Sequence, residues 1–271
     1  MLEIDCEVTA RILIKFIRDT VYKHHFKNGI LGVSGGIDSA LILALAQRAL
    51  GSDHTFALLM PYKLSSAESL THGKKICDQL KVPYETVDIS PSVDAYFDRF
   101  PTENRLLIGN KCARERMSVL YDFSVRKNAL VLGTSNKSEL LVGYSTLFGD
   151  SAAAFLPIGD LYKTQVFALA TYLQVPVEII KKKPTADLWA NQTDEGEIGI
   201  TYKELDEILF LLIEKRKRVG EIEKMGYAKA TVDKIGRMIV NSQYKRTMPP
   251  VAKIQNRAIG VDFRYLRDWL K

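Results

Sequence analysis

The stretch GVSGGIDSALILAL spans residues 32–45 and decides how the rest of the chain is interpreted. An apolar run at 29–33 leads into adjacent glycines, and an Ala- and Leu-rich segment at 40–50 follows them. This order predicts a buried strand, a tight turn and a helix. Free N–H groups and the helix dipole at such a junction attract anions. Neither GxGxxG nor GxxxxGK[ST] is present, which disfavours a dinucleotide-dependent oxidoreductase and a Walker-type ATPase.

The same loop carries a carboxylate, Asp38, which would repel a bare phosphate. Two like charges ~4 Å apart cost about 4 kcal/mol at an effective dielectric constant of about 20. A Mg²⁺ ion between them would reverse the sign, because Mg²⁺ commonly joins one or two carboxylates to substrate phosphates. We therefore predict a pyrophosphate-binding loop in which Asp38 holds the metal. The alternative is that Asp38 only caps the helix and the glycines only form a turn.

Apolar strands alternate with helical segments through the first half of the chain. Further strands are predicted at 55–60, 84–89 and 129–134, and further helices at 8–21, 67–80 and 111–126. Because these strands are apolar without alternation, they predict a doubly wound α/β fold with a mainly parallel sheet and helices on both faces. Ligands of such sheets bind beyond the carboxyl ends of the strands. The glycine loop and the segment GTSNKSE at 133–139 both fall there.

The second half of the chain has weaker patterns. Helices are predicted at 163–173, 202–218 and 229–240. The polar segment 182–200 predicts an ordered or lid-like loop, since long structureless loops are uncommon unless they are functional. No linker or internal repeat divides the sequence, so we expect a single domain over 1–271.

Composition restricts the class of protein. Of 271 residues, 46% are hydrophobic and 26% are charged, and 38 basic against 32 acidic residues give a net charge of +6. No stretch reaches the roughly 18 apolar residues of a membrane span, and the N-terminus lacks the order of a signal peptide, so we expect a cytoplasmic protein without membrane contact. The positive excess suits anionic ligands, nucleic acid among them. The cysteines and histidines lack metal-ligand spacing.

The hexapeptide SGGIDS at 34–39 resembles the SGGxDS signature of the PP-loop ATP pyrophosphatases. Members of that superfamily split ATP into AMP and pyrophosphate while they adenylate a carboxylate, carbonyl or amide oxygen. The resemblance implies an adenine nucleotide hydrolase-like fold, ATP as co-substrate and Mg²⁺ as cofactor. It also gives the loop a purpose, because the charge of the departing pyrophosphate must be neutralised.

Further stretches are similar to those of NAD synthetases. They are GNKCARERMSVLYDFS (109–124), GTSNKSELLVGYSTLFGD (133–150), PIGDLYKTQVFALA (157–170), KPTADLWANQTDE (183–195) and YKRTMPP (244–250). The resemblance implies that the nicotinate carboxylate of deamido-NAD attacks the α-phosphate of ATP and expels pyrophosphate. Ammonia then attacks the acyl-adenylate, and NAD and AMP are released.

The resemblance also implies roles for single residues at the nucleotide. Asp38 and Glu139 would hold the metal, Lys163 would be a catalytic contact to the ATP phosphates, and Asp187 would order its loop. The residues assigned to ATP are Gly32, Val33, Ser34, Gly35, Gly36, Ile37, Asp38, Ser39, Thr134, Lys163 and Thr185. The alternatives are a solvated helix acid for Glu139, a helix cap for Thr134 and a solvated lysine for Lys163.

By the same resemblance, deamido-NAD would be bound by Arg114, Tyr144, Asp150 and Lys245. Arg114 suits a diphosphate because its planar fork binds two oxygens at once. Asp150 would also be catalytic, holding ammonium and accepting a proton as the nitrogen attacks; the alternative is a plain Asp turn. Tyr144 would stack on the nicotinate ring or serve as a core aromatic. Arg116 is expected to be a structural ion-pair partner.

The source of the nitrogen follows from the position of the loop. It begins at Ser34, which leaves no room ahead of it for the glutaminase domain that some NAD synthetases carry, so we expect direct use of ammonia. The resemblance further implies a homodimer, with the helices after Lys111 and Pro157 as candidate interfaces. The expected partners are therefore ATP, deamido-NAD, ammonia and a second copy of the chain, without nucleic acid.

Three other functions compete with this one. A tRNA-modifying PP-loop enzyme would have an RNA-binding appendage and often paired cysteines, and a GMP synthetase would have its own dimerisation segment. The sequence has no sign of these features. A non-catalytic nucleotide sensor would leave the charged residues assigned to metal binding and catalysis without a role.

Overall fold

The computed structural model describes residues 2–185, 187, 192–256 and 258. Its centre is a four-stranded parallel sheet in the order β3-β2-β1-β4. The strands are β1 Asn28–Gly32, β2 Thr55–Leu59, β3 Tyr84–Thr86 and β4 Ala129–Val131. From β1 the chain adds β2 and β3 on one side and β4 on the other, which confirms the predicted doubly wound fold. Such a fold binds ligands where the order of the strands reverses, here between β1 and β4.

Helices make up most of the remaining described chain. They are α1 Cys6–Lys23, α2 Ile37–Leu50, α3 Ala67–Leu80, α4 Ser90–Arg99, α5 Arg105–Arg126, α6 Lys137–Val142, α7 Lys163–Tyr172, α8 Val177–Lys181, α9 Asp194–Ile198, α10 Tyr202–Ile213, α11 Val219–Glu223 and α12 Lys229–Asn241. Within the described ranges, none of them is long and apolar enough to cross a membrane.

Two apolar cores cover the two faces of the sheet. Leu31 of β1 packs into one core with α1, α2 and α7, and the preceding Ile30 packs into the other with α4 and α5. Helix α2 is enclosed on nearly every side, since its segment 40–45 is at most 1% exposed. Burying one such aliphatic side chain contributes about 1.5–3 kcal/mol. The cores therefore hold β1 and α2 rigidly, and with them the turn that joins the two.

A third core lies in the C-terminal helices. Leu205 and Ile208 of α10 pack with Val232 and Ile235 of α12, and Val142 of α6 joins them. Helix α10 also contacts α7. The third core thus fixes two helices, α6 and α7, whose first turns reach the carboxyl ends of the strands.

Several boundaries differ from the predicted ones, and α4 was not predicted. Strand β4 is shorter than predicted, although the N–H of Leu132 still donates to the carbonyl of Ile30 in β1; the N–H of Gly133, on the opposite edge of the strand, donates to the carbonyl of Phe155. Helix α5 begins earlier because the side chain of Asn104 caps it. Helix α10 ends before 218 because Arg216 has φ +49°, a left-handed conformation that a helix cannot include.

Candidate active site

The segment 33–39 joins β1 to α2 as a tight turn. Gly35 has φ +76°, and a Cβ at this position would lie 2.1 Å from the carbonyl oxygen of Ser69. Only glycine fits there. The hydroxyl of Ser39 donates to the carbonyl of Gly36 at 3.0 Å and lies 3.2 Å from the Ser34 hydroxyl. These bonds fix the turn, whose main chain leads directly into the N-terminus of α2.

Asp38 lies within the first turn of α2. The N-cap is Gly36, which has no side chain to offer, so the alternative that Asp38 is only a cap is wrong. Its Oδ1 accepts a hydrogen bond from Nδ2 of Asn136 at 2.8 Å, and its Oδ2 lies 2.5 Å from Nζ of Lys163. The first N–H groups of a helix lack partners within the helix. Those of α2 therefore lie beside a carboxylate that is already bonded elsewhere.

Lys163 lies between two carboxylates. Its Nζ is 2.5 Å from Oδ2 of Asp38 and 3.0 Å from Oε1 of Glu139. The side chains are 2% exposed for Lys163, 17% for Asp38 and 15% for Glu139. A buried ammonium is tolerated only with such partners. Lys163 is therefore not a solvated lysine, and Glu139 is not a solvated helix acid.

Burial and neighbouring charges shift the pKa values of Glu139 and Lys163. Burial raises the pKa of the Glu139 carboxyl to about 7; Lys163 opposes this shift and Asp38 adds to it. Burial alone would lower the pKa of Lys163, but Asp38 and Glu139 raise it above its ordinary value. The cluster thus holds a protonated ammonium beside a carboxyl whose charged form is disfavoured by burial and favoured by that ammonium.

Glu139 is held in place by the start of its own helix. The N–H of Glu139 donates to Oδ1 of Asn136 at 3.0 Å, and the N–H of Asn136 donates to Oε2 of Glu139 at 3.4 Å. This reciprocal capping box begins α6. Asn136 is therefore the helix cap, a role that was the alternative for Thr134.

Asp194 is a third acid close to this cluster. It is 4% exposed, and burial raises the pKa of its carboxyl. The hydroxyls of Tyr144 and Tyr202 each donate to it at 3.1 Å, and the ring of Tyr202 lies 4.9 Å from Nζ of Lys163. The single hydroxyl proton of Tyr144 is shared with Glu197, whose oxygen is the closer of the two at 2.6 Å. Asp194 and Tyr202 were not singled out from the sequence, although Asp194 belongs to the motif KPTADLWANQTDE.

One cleft at the carboxyl ends of the strands collects most of the predicted residues. From that set its walls include Gly32, Val33, Ser34, Gly36, Ile37, Asp38, Ser39, Thr134, Glu139, Tyr144, Asp150, Lys163 and Thr185. Gly35, Arg114 and Lys245 are not among the described residues of these walls. The predicted nucleotide site and part of the predicted substrate site thus share one cavity.

Asp150 both forms a turn and lines the cleft. Its Oδ1 accepts from the N–H of Thr146 at 2.7 Å, which is the Asp turn given as its alternative role. Lys245 lies nearby but outside the wall. Its Nζ donates to the carbonyls of Gly143 and Ser145, both at 2.7 Å. In this arrangement Lys245 fixes the 143–145 loop behind the substrate end.

Arg114 lies outside the cleft, whereas Arg116, two positions further along α5, lines it. Arg114 is exposed, donates to the carbonyl of Leu147 at 3.3 Å and borders a separate surface pocket. Arg116 lines the cleft, where it donates to the carbonyl of Met60 at 2.9 Å and to the hydroxyl of Ser65 at 3.3 Å. The prediction that Arg116 is an ion-pair partner is wrong, because these bonds go to a carbonyl and a hydroxyl.

The first part of the predicted lid-like loop is fastened to the N-terminus of α3. Asp187 accepts from the N–H of Ser66 at 3.0 Å and from the hydroxyl of Ser69 at 2.7 Å. The hydroxyl of Thr185 accepts from the N–H of Asp187, and Lys182 donates to Ser69 at 2.6 Å. Residues 186 and 188–191 of this loop lie outside the described residues.

The residues in the cleft suit a magnesium ion that arrives with a nucleotide. Mg²⁺ prefers oxygen ligands and is commonly held by one or two carboxylates plus substrate phosphates. Asp38 and Glu139 supply two carboxylates at one point. Across the described chain, no group of three or more His, Cys, Asp or Glu side chains is arranged to hold a metal. Two carboxylates at one point fit a Mg²⁺ ion that is shared with substrate phosphates.

The sequence is similar to known NAD synthetases over nearly its whole length. The profile of the NAD synthase family matches residues 9–249. The NH(3)-dependent NAD(+) synthetase of Chlorobaculum parvum is 50% identical over 268 residues, which make up 99% of this chain and 97% of the relative.

Solved structures agree with this match and with the fold. The NMN synthetase from Francisella tularensis superposes with a TM-score of 0.83 at 31% identity, covering 93% of this chain and all of the other. The NH3-dependent NAD synthetase from Campylobacter jejuni, in complex with the nitrate ion, gives a TM-score of 0.79 at 34% identity with the same coverage. The predicted enzyme class is confirmed, and the chain belongs to the NAD synthase family.

Proposed function

We propose that the protein uses ATP to join ammonia to the nicotinate carboxylate of deamido-NAD, giving NAD, AMP and pyrophosphate through an acyl-adenylate. The observation that carries this proposal is the position of Lys163 between Asp38 and Glu139, beside the N-terminus of α2. An ammonium, two carboxylates and a helix N-terminus together suit a triphosphate whose pyrophosphate must leave.

The triphosphate would bind along the turn 34–39. The helix dipole and the free N–H groups of α2 favour the phosphate charge there. Lys163 would turn part of its hydrogen bonding from the carboxylates to the phosphates. Asp38 and Glu139 would then hold a Mg²⁺ ion, which when bound neutralises charge that develops on the pyrophosphate.

The need for activation explains the two steps. A carboxylate is a poor electrophile and its oxygen is a poor leaving group. In the first step a carboxylate oxygen bonds to the α-phosphorus and the bond to pyrophosphate breaks. In the second, the lone pair of ammonia forms the C–N bond, AMP departs with the carboxylate oxygen, and one proton is lost. Asp150, on the cleft wall, would orient ammonia and accept that proton.

The product assay tests this proposal directly. The protein is incubated with Mg-ATP, deamido-NAD and ammonium, or with glutamine in place of ammonium, and AMP, ADP and NAD are resolved by chromatography. We expect NAD and AMP in equal amounts with ammonium only. A parallel incubation replaces deamido-NAD with the acid counterpart of NMN, because the Francisella neighbour is an NMN synthetase. Formation of AMP only after tRNA is added would contradict the proposal.

We further infer a cytoplasmic homodimer that does not bind nucleic acid. Large apolar side chains are exposed at one end of α4 and α5, where Phe100 is 54% exposed, Leu106 64% and Leu107 52%. Arg114 borders the same surface. A second copy seated there would bury these side chains and bring Arg114 into an interface. Light scattering on the eluting protein tests this, with twice the mass of the 30.5 kDa chain as the expected result.

A further inference from the structure

Asp206 is a fully buried carboxylate that the proposed reaction does not use. It lies on α10, in the third core, and is 0% exposed. Its Oδ1 accepts from the hydroxyl of Ser138 at 2.5 Å, and its Oδ2 accepts from the N–H of Thr164 at 2.8 Å. A buried carboxylate is costly unless its oxygens are bonded. Both oxygens of Asp206 are bonded to groups near the start of α6 or α7.

The hydroxyl of Ser138 extends this arrangement to Lys163. It accepts from the N–H of Lys163 at 2.9 Å while it donates to Asp206. Ser138 directly precedes Glu139 on α6, and Lys163 is the first residue of α7. One buried carboxylate and one hydroxyl thus bind the first two N–H groups of the helix that carries the site ammonium.

The charge of Asp206 also acts on Lys163. The N-terminus of a helix is electropositive, so it is an unfavourable place for a lysine. Lys163 is in addition buried, which alone disfavours its charged form. Asp206 places a negative charge at this N-terminus without occupying the cleft, and its position leaves Asp38 and Glu139 to face the ligand.

We infer that Asp206 is a positioning residue which, together with Ser138, fixes the first turn of α7 and so aims the ammonium of Lys163 into the cleft. The inference rests on the proposed function, in which Lys163 acts on the ATP phosphates. The third core would then contribute to the chemistry through α10, although Asp206 itself does not line the cleft.

A double-mutant cycle tests the inference. The variants are Asp206→Asn, Lys163→Met and the double variant, each assayed for ATP affinity by calorimetry and for kcat and KM. Asp206→Asn keeps the shape of the side chain but replaces one accepting oxygen with a donor. A small misplacement of a reacting group costs on the order of tenfold to a hundredfold in rate. We expect that loss in the wild-type background and little further loss in the Lys163→Met background.

Glu207→Gln is the matched control on the same helix. Glu207 follows Asp206, and its carboxylate accepts instead from the hydroxyl of Tyr227 at 2.8 Å. This variant should keep wild-type kinetics. If Asp206→Asn fails to fold, Ser138→Ala replaces it in the cycle, since it removes the bond to the N–H of Lys163 and leaves Thr164 bonded to Asp206.

The outcomes separate the inference from the proposed function. Equal losses from Asp206→Asn in both backgrounds would show that Asp206 acts only through general stability and would overturn the inference. Wild-type kinetics of Lys163→Met would remove Lys163 from the reaction and overturn the inference with it. If Lys163→Met lowers kcat and adding Asp206→Asn lowers it no further, the result supports the inference and the proposed function together.

Discussion

At the phosphate end of the cleft, Lys163 is buried between Asp38 and Glu139. At the substrate end, Arg114 is exposed and borders a separate surface pocket. The first end is built by residues that bond to one another within a single chain. The second presents side chains to solvent and lies beside an exposed apolar surface. ATP would therefore meet residues that already bond to one another, whereas Arg114, the residue proposed for deamido-NAD, lies on the surface where we proposed that a second copy docks.

The largest effect is expected at the phosphate end. Asp38→Asn should lower the rate of pyrophosphate release by about a hundredfold or more, because the Mg²⁺ ion that would neutralise the departing group loses a carboxylate ligand. The amide oxygen still accepts from Asn136, but the amide nitrogen then faces the buried ammonium of Lys163, so the thermal unfolding temperature should also fall. Pyrophosphate release in a coupled assay measures the effect, with the exposed Asp53→Asn as control. A rate near that of the wild type would remove Asp38 from the site.

Lys163→Met removes the ammonium and so tests whether it competes with a metal ion for Asp38 and Glu139. Without Nζ between them, Asp38 and Glu139 should bind Mn²⁺ in the absence of nucleotide at least about tenfold more tightly than in the wild type. Charges ~4 Å apart interact by about 4 kcal/mol at an effective dielectric constant of about 20. Electron paramagnetic resonance of free Mn²⁺ gives the affinities. Equal affinities would mean that the lysine does not compete for these carboxylates.

Gly35→Ala tests how tightly the phosphate end is built. The added Cβ would meet the carbonyl of Ser69, so we expect a loss of more than about 2 kcal/mol in the free energy of unfolding and about tenfold in ATP affinity. Gly51→Ala is the matched control, because φ there is +89° but nothing lies within 4 Å of the added Cβ. Because ψ there is +161°, this backbone lies in a region that is essentially restricted to glycine, so Gly51→Ala should lose about 1–3 kcal/mol through strain alone, less than Gly35→Ala, and should keep wild-type ATP affinity. Urea unfolding measures both variants, and equal losses would contradict the close approach.

The smallest effect is expected at the substrate end. Arg114→Ala should raise KM for deamido-NAD roughly fivefold and leave KM for ATP unchanged, since an exposed charge contributes up to about 1 kcal/mol. Arg116→Ala should do the reverse, because Arg116 lines the cleft beside Met60 and Ser65. Initial-rate kinetics with each substrate varied in turn decide the matter. If Arg114→Ala raised KM for ATP and Arg116→Ala raised KM for deamido-NAD, the roles given to the two ends of the cleft would be wrong.

Much of the phosphate end was predictable because it is local in sequence. A buried strand, a glycine that needs positive φ and a helix N-terminus follow one another within residues 29–39, and periodicity is enough to find them. The same holds for the parallel sheet, whose apolar strands imply helices on both faces. Position places Thr134 and Glu139 just past a strand end, and the roles expected of them at the nucleotide come from the resemblance to NAD synthetases.

The features that could not be predicted from the sequence depend on contacts between residues that are far apart in the chain. Arg114 and Arg116 lie two positions apart on one helix, and only tertiary packing decides which of them enters the cleft. In the sequence, Asp206 is indistinguishable from a surface acid of an amphipathic helix, and only its bonds to Ser138 and Thr164 in the structure show its role. Helix α10 was predicted too long because Arg216 carries no signal for its left-handed conformation.

The central claim, that a carboxylate oxygen of deamido-NAD attacks the α-phosphorus of ATP, is tested most directly with an oxygen label. Deamido-NAD that carries ¹⁸O in its nicotinate carboxylate is converted with Mg-ATP and ammonium in unlabelled water, and the AMP is analysed by mass spectrometry. The account predicts one ¹⁸O atom in the phosphate of each AMP formed. Unlabelled AMP formed together with NAD would contradict the acyl-adenylate.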